Sequence, residues 1–228
     1  VTDEDLIPAA TVLLLRDAAP GHGLEVLMLR RNSKIAFGGM WVFPGGAIDD
    51  HEHQPDDILG SARTAAVREV EEETGLTVTG AMLETWSFWV PPTRAQIAPS
   101  ANFRRYATWF FVTEAPEGEI VVDGGEIHEH KWLTPTDAMA QRQEGTIELA
   151  PPTWVTLLQL SQHPSTETAL AWASTNHYGE FRTRPIAKNP TTLTWIGDHA
   201  YEDEQPADEG RRHRLTMHPE GWVYERTH

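Results

Sequence analysis

"WVFPGGAIDDHEHQPDDILGSARTAAVREVEEETGL", Trp41 to Leu76, couples a Pro-Gly-Gly turn to a segment that ends almost wholly acidic. From about Pro55 to Thr74 the segment has the marks of a helix. Pro55 suits a first turn, Asp56 and Asp57 complement the positive end of the dipole, and Gly75 suits the stop. At 100° per residue, Glu69, Glu72 and Glu73 share an arc of about 100°, whereas Glu71 points to the opposite side. Ile58, Ala62 and Ala65 continue the carboxylate stripe upstream as a small apolar one, and Leu59, Ala66, Val67 and Val70 flank it. The helix is therefore expected to pack along most of its length and to turn acidic only in its last turns.

An acidic helix face is often nothing more than a solvated one. Here Glu69 and Glu73 stand four residues apart, a mildly destabilising like-charge pair, and Arg68–Glu72 is the opposite-charge pair at that spacing, in the weaker orientation. Three convergent carboxylates suit a hard divalent cation, which takes oxygen ligands and keeps positions for water and phosphate. The Pro44-Gly45-Gly46 turn strengthens that reading, because glycine lets backbone come close to a metal or a phosphate. Neither G-x-G-x-x-G nor G-K-[ST] occurs, so the turn is not of the Rossmann or P-loop kind.

Length and composition narrow the field. The 228 residues suffice for one sizeable core with an appendage. A formal net charge of −16 disfavours nucleic acid and anionic membranes, and a phosphate substrate would need a cation to mediate its approach. With no cysteine, disulfides, thiolate nucleophiles and Cys-based zinc sites are excluded. No apolar run approaches membrane-spanning length, and "VTDEDLIP" at the start lacks the basic and apolar regions of a signal peptide, so cytoplasmic residence is the expectation.

Along the chain, 10–17 and 24–31 form a predicted hairpin, 78–90, 104–115 and a segment ending near Trp132 are strand-like, and 135–145 and 151–163 are helical. After about residue 165 come a short helix and two strands around the acidic loop "EDEQPADEG" (202–210), expected as an appended hairpin. Strands and helices mix without strict alternation, which indicates an α+β or layered α/β/α domain. The expected division is a catalytic unit over 1–150 and an extension over 151–228 packed on it.

"FPGG" (43–46) followed by "REVEEETGL" (68–76) resembles the Nudix hydrolase box, G-x5-E-x7-R-E-U-x-E-E-x-G-U. Arg68, Glu69, Val70, Glu72, Glu73, Gly75 and Leu76 match its second half, and Gly46 and Glu52 its first. Fifteen residues, 53–67, stand where the pattern has seven, so an ungapped helix alignment would put Gly60 at the position of Glu52. The longer insertion resembles the branch that includes coenzyme A diphosphatases, although Ile35 stands where that subgroup's motif usually has arginine.

The resemblance covers roughly residues 7–148. It implies a Nudix-like α/β/α sandwich with a mixed sheet, here with an appended C-terminal helix and β-hairpin. It implies hydrolysis of a diphosphate linkage in a nucleoside diphosphate derivative, with Mg²⁺ or Mn²⁺ polarising the phosphate and activating water. Carried over, Glu69, Glu72, Glu73 and the Gly45 carbonyl would hold the metal, and Gly45 and Gly46 would meet substrate. Glu69 is the candidate base and Arg68 its orienting partner. Glu126 is the candidate acid from a later loop, with Glu129 its competitor. Coenzyme A-type substrates are the first expectation. Nucleotide sugars, dinucleoside polyphosphates and oxidised nucleotides are the alternatives, and a non-catalytic nucleotide-sensing module is the alternative of another class. The expected partner is a small-molecule diphosphate, with no nucleic acid and no membrane, and a homodimer is an assembly the sequence permits.

The insertion carries its own expectation. "DDHEHQP" should bulge at the surface, and the remaining surplus should lengthen the helix by about one turn, with Ile58 and Leu59 burying it. Glu52 would then be free to point away from the metal, and its substitution would cost far less than that of Glu72. Two "HEH" triplets, 51–53 and 128–130, each offer paired imidazoles, but such pairs in turns are usually solvated. The nine tryptophans suggest either a stacking platform or ordinary packing.

Overall fold

The computed structural model describes residues 6–32, 39–94, 96, 104–122, 124–188, 191–202 and 209–227. Residues 95 and 97–103, between the strands expected over 78–90 and 104–115, lie outside them, as do Ile35 and most of the acidic loop.

β1 (Leu6–Asp17) runs through the middle of the main sheet because it is apolar on both faces. Val12 and Leu14 enter one core cluster, and Leu13 and Leu15 enter another on the opposite side. The predicted hairpin forms with β2 (Leu24–Arg31), Leu15 opposite Val26. β3 (Trp41–Val42) pairs with β2, and β4 (Gly45–Ala47) turns back onto β1. β5 (Glu84–Val90), β6 (Arg105–Glu114), β7 (Ile127–Leu133) and β8 (Gly179–Arg182) complete the sheet. Its main path is β3-β2-β1-β6-β5-β8, with β7 beside β2. β1 runs parallel to β6 and β5 parallel to β8, so the sheet is mixed.

α1 (Ile58–Thr74) covers one face through Ala62, Ala65, Ala66 and Val70. The opposite face is covered by α2 (Pro135–Gln143), α3 (Pro151–Leu160) and α4 (Thr166–Thr175). The result is the expected mixed-sheet α/β/α sandwich. The tail strands expected around the acidic loop are β10 (Thr191–Thr194) and β11 (His213–His218), which pair antiparallel. They continue through β9 (Arg184–Lys188) and β12 (Gly221–Arg226) into a four-stranded sheet. That sheet feeds Trp195 and Leu215 into the same core cluster as α3 and β5, and Trp222 packs edge-on against Trp154 at 5.8 Å.

α1 begins at Ile58 and not at Pro55. Asp57 sits outside the helix as its N-cap and accepts the Gly60 N–H at 2.8 Å, which leaves Pro55 in the preceding loop. The loop is exposed, as expected, and is pinned to the helix where Ser61 Oγ accepts the Gln54 N–H. Ile58 is 39% exposed, so the first turn is buried by half-buried Leu59 and not by both residues. Gly75 ends the helix in the left-handed conformation, φ 72°, and donates to the Glu71 carbonyl.

Candidate functional site

The glycine turn lies between β1 and α1 with no space for side chains. Pro44 O accepts the Val12 N–H at 2.9 Å and the Thr11 hydroxyl at 2.7 Å. A Cβ on Gly45, at φ +154°, would come within 2.3 Å of the Ala10 carbonyl. A Cβ on Gly46 would come as close to Glu69 Oε1. Glycine is required at 45 by backbone conformation and contact, and at 46 by the carboxylate pressed against it.

Arg68 gathers the acids. Its Nε donates to Glu52 Oε1 at 2.9 Å and its Nη2 to Glu52 Oε2 at 3.1 Å. Nη2 also donates to the Ala47 carbonyl, at 3.0 Å. Nη1 donates to Glu69 at 2.7 Å and to Glu72 at 3.0 Å. Hydrogen bonding to Glu52, joined by Glu69 and Glu72, holds the guanidinium pKa well above its usual value.

Glu52 is therefore not turned away at the surface. It is 5% exposed, and it also accepts the Asp49 N–H at 2.9 Å. Burial raises its pKa, but the bonds from Arg68 and Asp49 outweigh burial, and the net shift is downward. The fifteen-residue connection loops out and returns, so Glu52 still reaches Arg68.

Glu73 is buried and accepts the Gly45 N–H at 2.8 Å. Burial pushes its pKa up to about 8; Glu69 and Glu126 add to the rise, and Gly45 and Arg31 oppose it. Burial also raises Glu69, against the pull of Arg68. Glu72 has an exposed side chain, and Glu71 is exposed on the far side, as the helical wheel requires. Glu126 pairs with Arg31 at 2.8 Å and repels both Glu69 and Glu73 electrostatically. Glu129 is engaged elsewhere, by Arg30 at 3.4 Å and Lys131 at 3.2 Å. Of the two candidate later acids, Glu126 is the one placed toward the helix carboxylates.

Beyond the turn a cleft of about 320 Å³ opens, lined by Gly45, Gly46, Arg31, Phe43, Trp89 and Phe110, among others. Arg31 was not singled out in the sequence. It links the cleft to Glu126 and acts on Glu73 through its charge, and its Nε is buried with no hydrogen-bond partner. No motif marked it, because Arg30 and Arg31 are adjacent and only the strand register decides which one faces inward. Thr183, Leu193 and Trp195 of the tail also line the cleft, and they too carried no readable pattern. His51, His53 and His128 are exposed. Most aromatic residues are packing: Trp89 stacks on Phe181 at 3.9 Å, and Trp86 is buried.

Among the described residues no three acidic or imidazole groups already form a metal cage. The donor set nevertheless fits a hard divalent cation. Glu69, Glu72 and Glu73 are oxygen donors on one helix face, and Glu69 and Glu73 are mutually repelling, desolvated carboxylates that a cation would neutralise.

The family model of the NUDIX domain matches residues 5–153. No curated protein matches the chain. Among solved structures, the chain is similar to a NUDIX hydrolase from Alicyclobacillus acidocaldarius, at 23% identity and TM-score 0.63, with 77% of this chain and 98% of that one covered. It is also similar to a MutT protein from Methanosarcina mazei Go1, at 17% identity and TM-score 0.50, covering 71% and 96%. At these identities the two structures speak for the fold. Among the described residues no helix is long and apolar enough to cross a membrane.

Proposed function

The chain belongs to the NUDIX domain family and is a Nudix hydrolase, and from that premise we propose that it cleaves a diphosphate linkage in a nucleoside diphosphate derivative at the Pro44-Gly45-Gly46 turn that leads into β4. One observation carries the reading. Glu69 and Glu73 meet the Pro44-Gly45-Gly46 turn from the helix side, and the same glycines line the cleft on the other side. None of Glu69, Glu72 and Glu73 lines the cleft itself, so a diphosphate held there would meet these carboxylates at the glycine turn that the two share.

Glu69, Glu72, Glu73 and the Gly45 carbonyl are the groups that would hold Mg²⁺ or Mn²⁺. The cation supplies charge neutralisation and a polarised phosphoryl oxygen. The chain's own residues do the rest. Glu69 is the candidate base, and its raised pKa brings its proton affinity nearer to working pH. Arg68 fixes the Glu69 carboxylate through Nη1, and Glu52 fixes Arg68 through Nε and Nη2. Arg31 lines the cleft and offers its charge to phosphate, with Glu126 holding it. The prolines and aromatic rings of the cleft offer apolar surface to the group linked to the diphosphate.

A panel of diphosphates assayed with Mg²⁺ and with Mn²⁺, with products identified by mass, tests this reading. Coenzyme A-type diphosphates come first, then nucleotide sugars and dinucleoside polyphosphates. Metal-dependent cleavage at the diphosphate is the expected result. Binding of these compounds without turnover would overturn the hydrolytic reading and favour a sensing module.

A further inference from the structure

The NUDIX match ends at residue 153, yet the cleft does not. Its far wall is Thr183, Leu193 and Trp195, all from the tail. We infer that this tail wall selects the substrate, and that it selects a nucleoside diphosphate ester whose second group is apolar, an alkyl or unsubstituted ring group and not a sugar. The inference rests on the diphosphatase reading above and specifies its substrate.

The wall is built into the fold. The Thr183 N–H donates to Val90 O at 2.9 Å, which fastens the tail to the edge of the main sheet. Trp195 Nε1 donates to Thr183 Oγ1 at 3.0 Å, and its ring stands edge-on to Trp89 at 5.6 Å and to Phe181 at 5.4 Å. Behind it Asp198, with no exposed side-chain surface, accepts the Arg214 Nε at 2.7 Å and the His213 N–H at 2.8 Å. The tail sheet is thereby held rigid, and half-buried Leu193 faces the cleft from it.

The chemistry of the lining chooses the occupant. Among the described residues no carboxylate, amide or imidazole side chain lines the cleft. Its charged lining groups among the described residues are Arg31 and Arg104. Of its hydroxyls, Thr11 is committed to Pro44 O and Thr183 to Trp195, while Tyr106, Thr108 and Thr153 also line the cleft among aromatic, proline and aliphatic side chains. The Pro91 and Pro92 carbonyls are taken by Arg105. A sugar ring entering here would press several hydroxyls against a mostly apolar lining, and each one left without a partner would carry a desolvation cost. An alkyl or plain ring group would bury apolar surface against Phe43, Phe110, Trp89 and Leu193 at no such cost. The guanidinium of Arg31, held by Glu126, would meet the diphosphate, so the cleft offers both the charge and the apolar surface that such an ester presents.

The experiment uses three ADP derivatives esterified at the terminal phosphate: the methyl ester, the octyl ester and ADP-glucose. For the full-length wild type with Mg²⁺, kcat/KM is expected to be at least tenfold higher for the octyl ester than for the other two, mostly through KM. Leu193→Trp, which fills the cleft, should remove that advantage and lower kcat/KM for the octyl ester more than for the methyl ester. Leu193→Ala, which leaves the wall open, should weaken the same preference if the tryptophan variant does not fold. Tryptophan fluorescence, with Trp89 at the cleft, follows binding of the octyl ester of the non-hydrolysable methylene analogue of ADP. No preference for the octyl ester, or an equal loss on all three in a folded Leu193 variant, overturns the tail wall. If no ester is cleaved but the octyl analogue binds and Leu193→Trp weakens it tenfold, the wall stands and the hydrolytic reading falls. Absence of both turnover and octyl binding overturns both.

Discussion

Glu52 offers the sharpest perturbation, because its contacts are few and its partner is the hub of the site. It accepts two bonds from Arg68 and one from the Asp49 N–H, and its side chain is 3% exposed against 23% for Arg68. Breaking a buried ion pair by removing one partner costs about 3–5 kcal/mol. Here Arg68 keeps Ala47, Glu69 and Glu72 and has some access to water, so Glu52→Ala belongs at the low end, about 3 kcal/mol. Glu52→Gln keeps shape and one acceptor oxygen and loses only the charge, at about 1–2 kcal/mol. Activity should fall roughly 10- to 100-fold in both, because a released guanidinium no longer aims Glu69 and Glu72. Denaturant melts and steady-state kinetics on the same samples measure the two effects. The pH dependence has a fixed sign. The folded pKa of Glu52 is depressed, so its contribution is complete above the unfolded value of 4.5 and is lost as pH falls through the lower folded value. The gap between wild type and Glu52→Gln should therefore close in acid below pH 4.5. A Glu52→Gln enzyme with wild-type stability and turnover at pH 7, or a gap unchanged in acid, would refute the reasoning. The sequence-based expectation that Glu52→Gln costs far less activity than Glu72→Gln thus gives way to one in which Glu52→Gln costs activity and, unlike substitution of exposed Glu72, stability as well.

Glu73→Gln should stabilise the metal-free protein: a carboxylate whose folded pKa is raised to about 8 burdens the fold increasingly from pH 4.5 to 8, by at most roughly 4–5 kcal/mol at the upper end. The stability of the metal-free wild type should thus decline over that window, and the decline should flatten in the variant by thermal melts across pH. Gly46→Ala should displace Glu69 and cost roughly 10- to 100-fold in kcat/KM, with stability within about 1 kcal/mol because a flexible carboxylate end can move; retained activity would show that the close approach is incidental. Mg²⁺ should raise the Tm of the wild type, and the rise should shrink in Glu69→Gln, Glu72→Gln and Glu73→Gln but persist in exposed Glu71→Gln. An equal loss in the Glu71 variant would indicate general charge screening.

What the sequence disclosed follows from which interactions are local. The helix wheel separated Glu71 from Glu69, Glu72 and Glu73 because all four sit within two turns of one helix, where 100° per residue fixes direction. β1 was legible because a strand buried on both faces must be continuously apolar. Glu126 and Glu129 could not be ranked from spacing alone. What separates them is the pairing of β7 with β2, which shifts register between Arg30 and Arg31 and sets Glu129 opposite Arg30. A register shift depends on the partner strand, and no local pattern announces it. Leu193 and Trp195 were invisible for the same reason at longer range: their meeting with Trp89 follows from β8 joining the main sheet beside β5.

The misplacement of Glu52 teaches something more general about insertions. A count of residues between Glu52 and Arg68 treats the chain as a ruler, and on that ruler fifteen residues displace the acid. A loop is not a ruler, because closing a longer one costs only about 0.6 kcal/mol per doubling of length. The two charge-assisted bonds to Arg68 and the pinning of Gln54 by Ser61 exceed that cost comfortably. The chain carries residues 53–57 as an exposed stretch before α1 and keeps both ends of the connection where the ion pair needs them. Deleting residues 53–56 tests that account: the ion pair should survive a shorter connection, with stability changed by about 1 kcal/mol or less and the Arg68-dependent activity retained. A collapse of activity without unfolding would show instead that the loop itself positions Glu52.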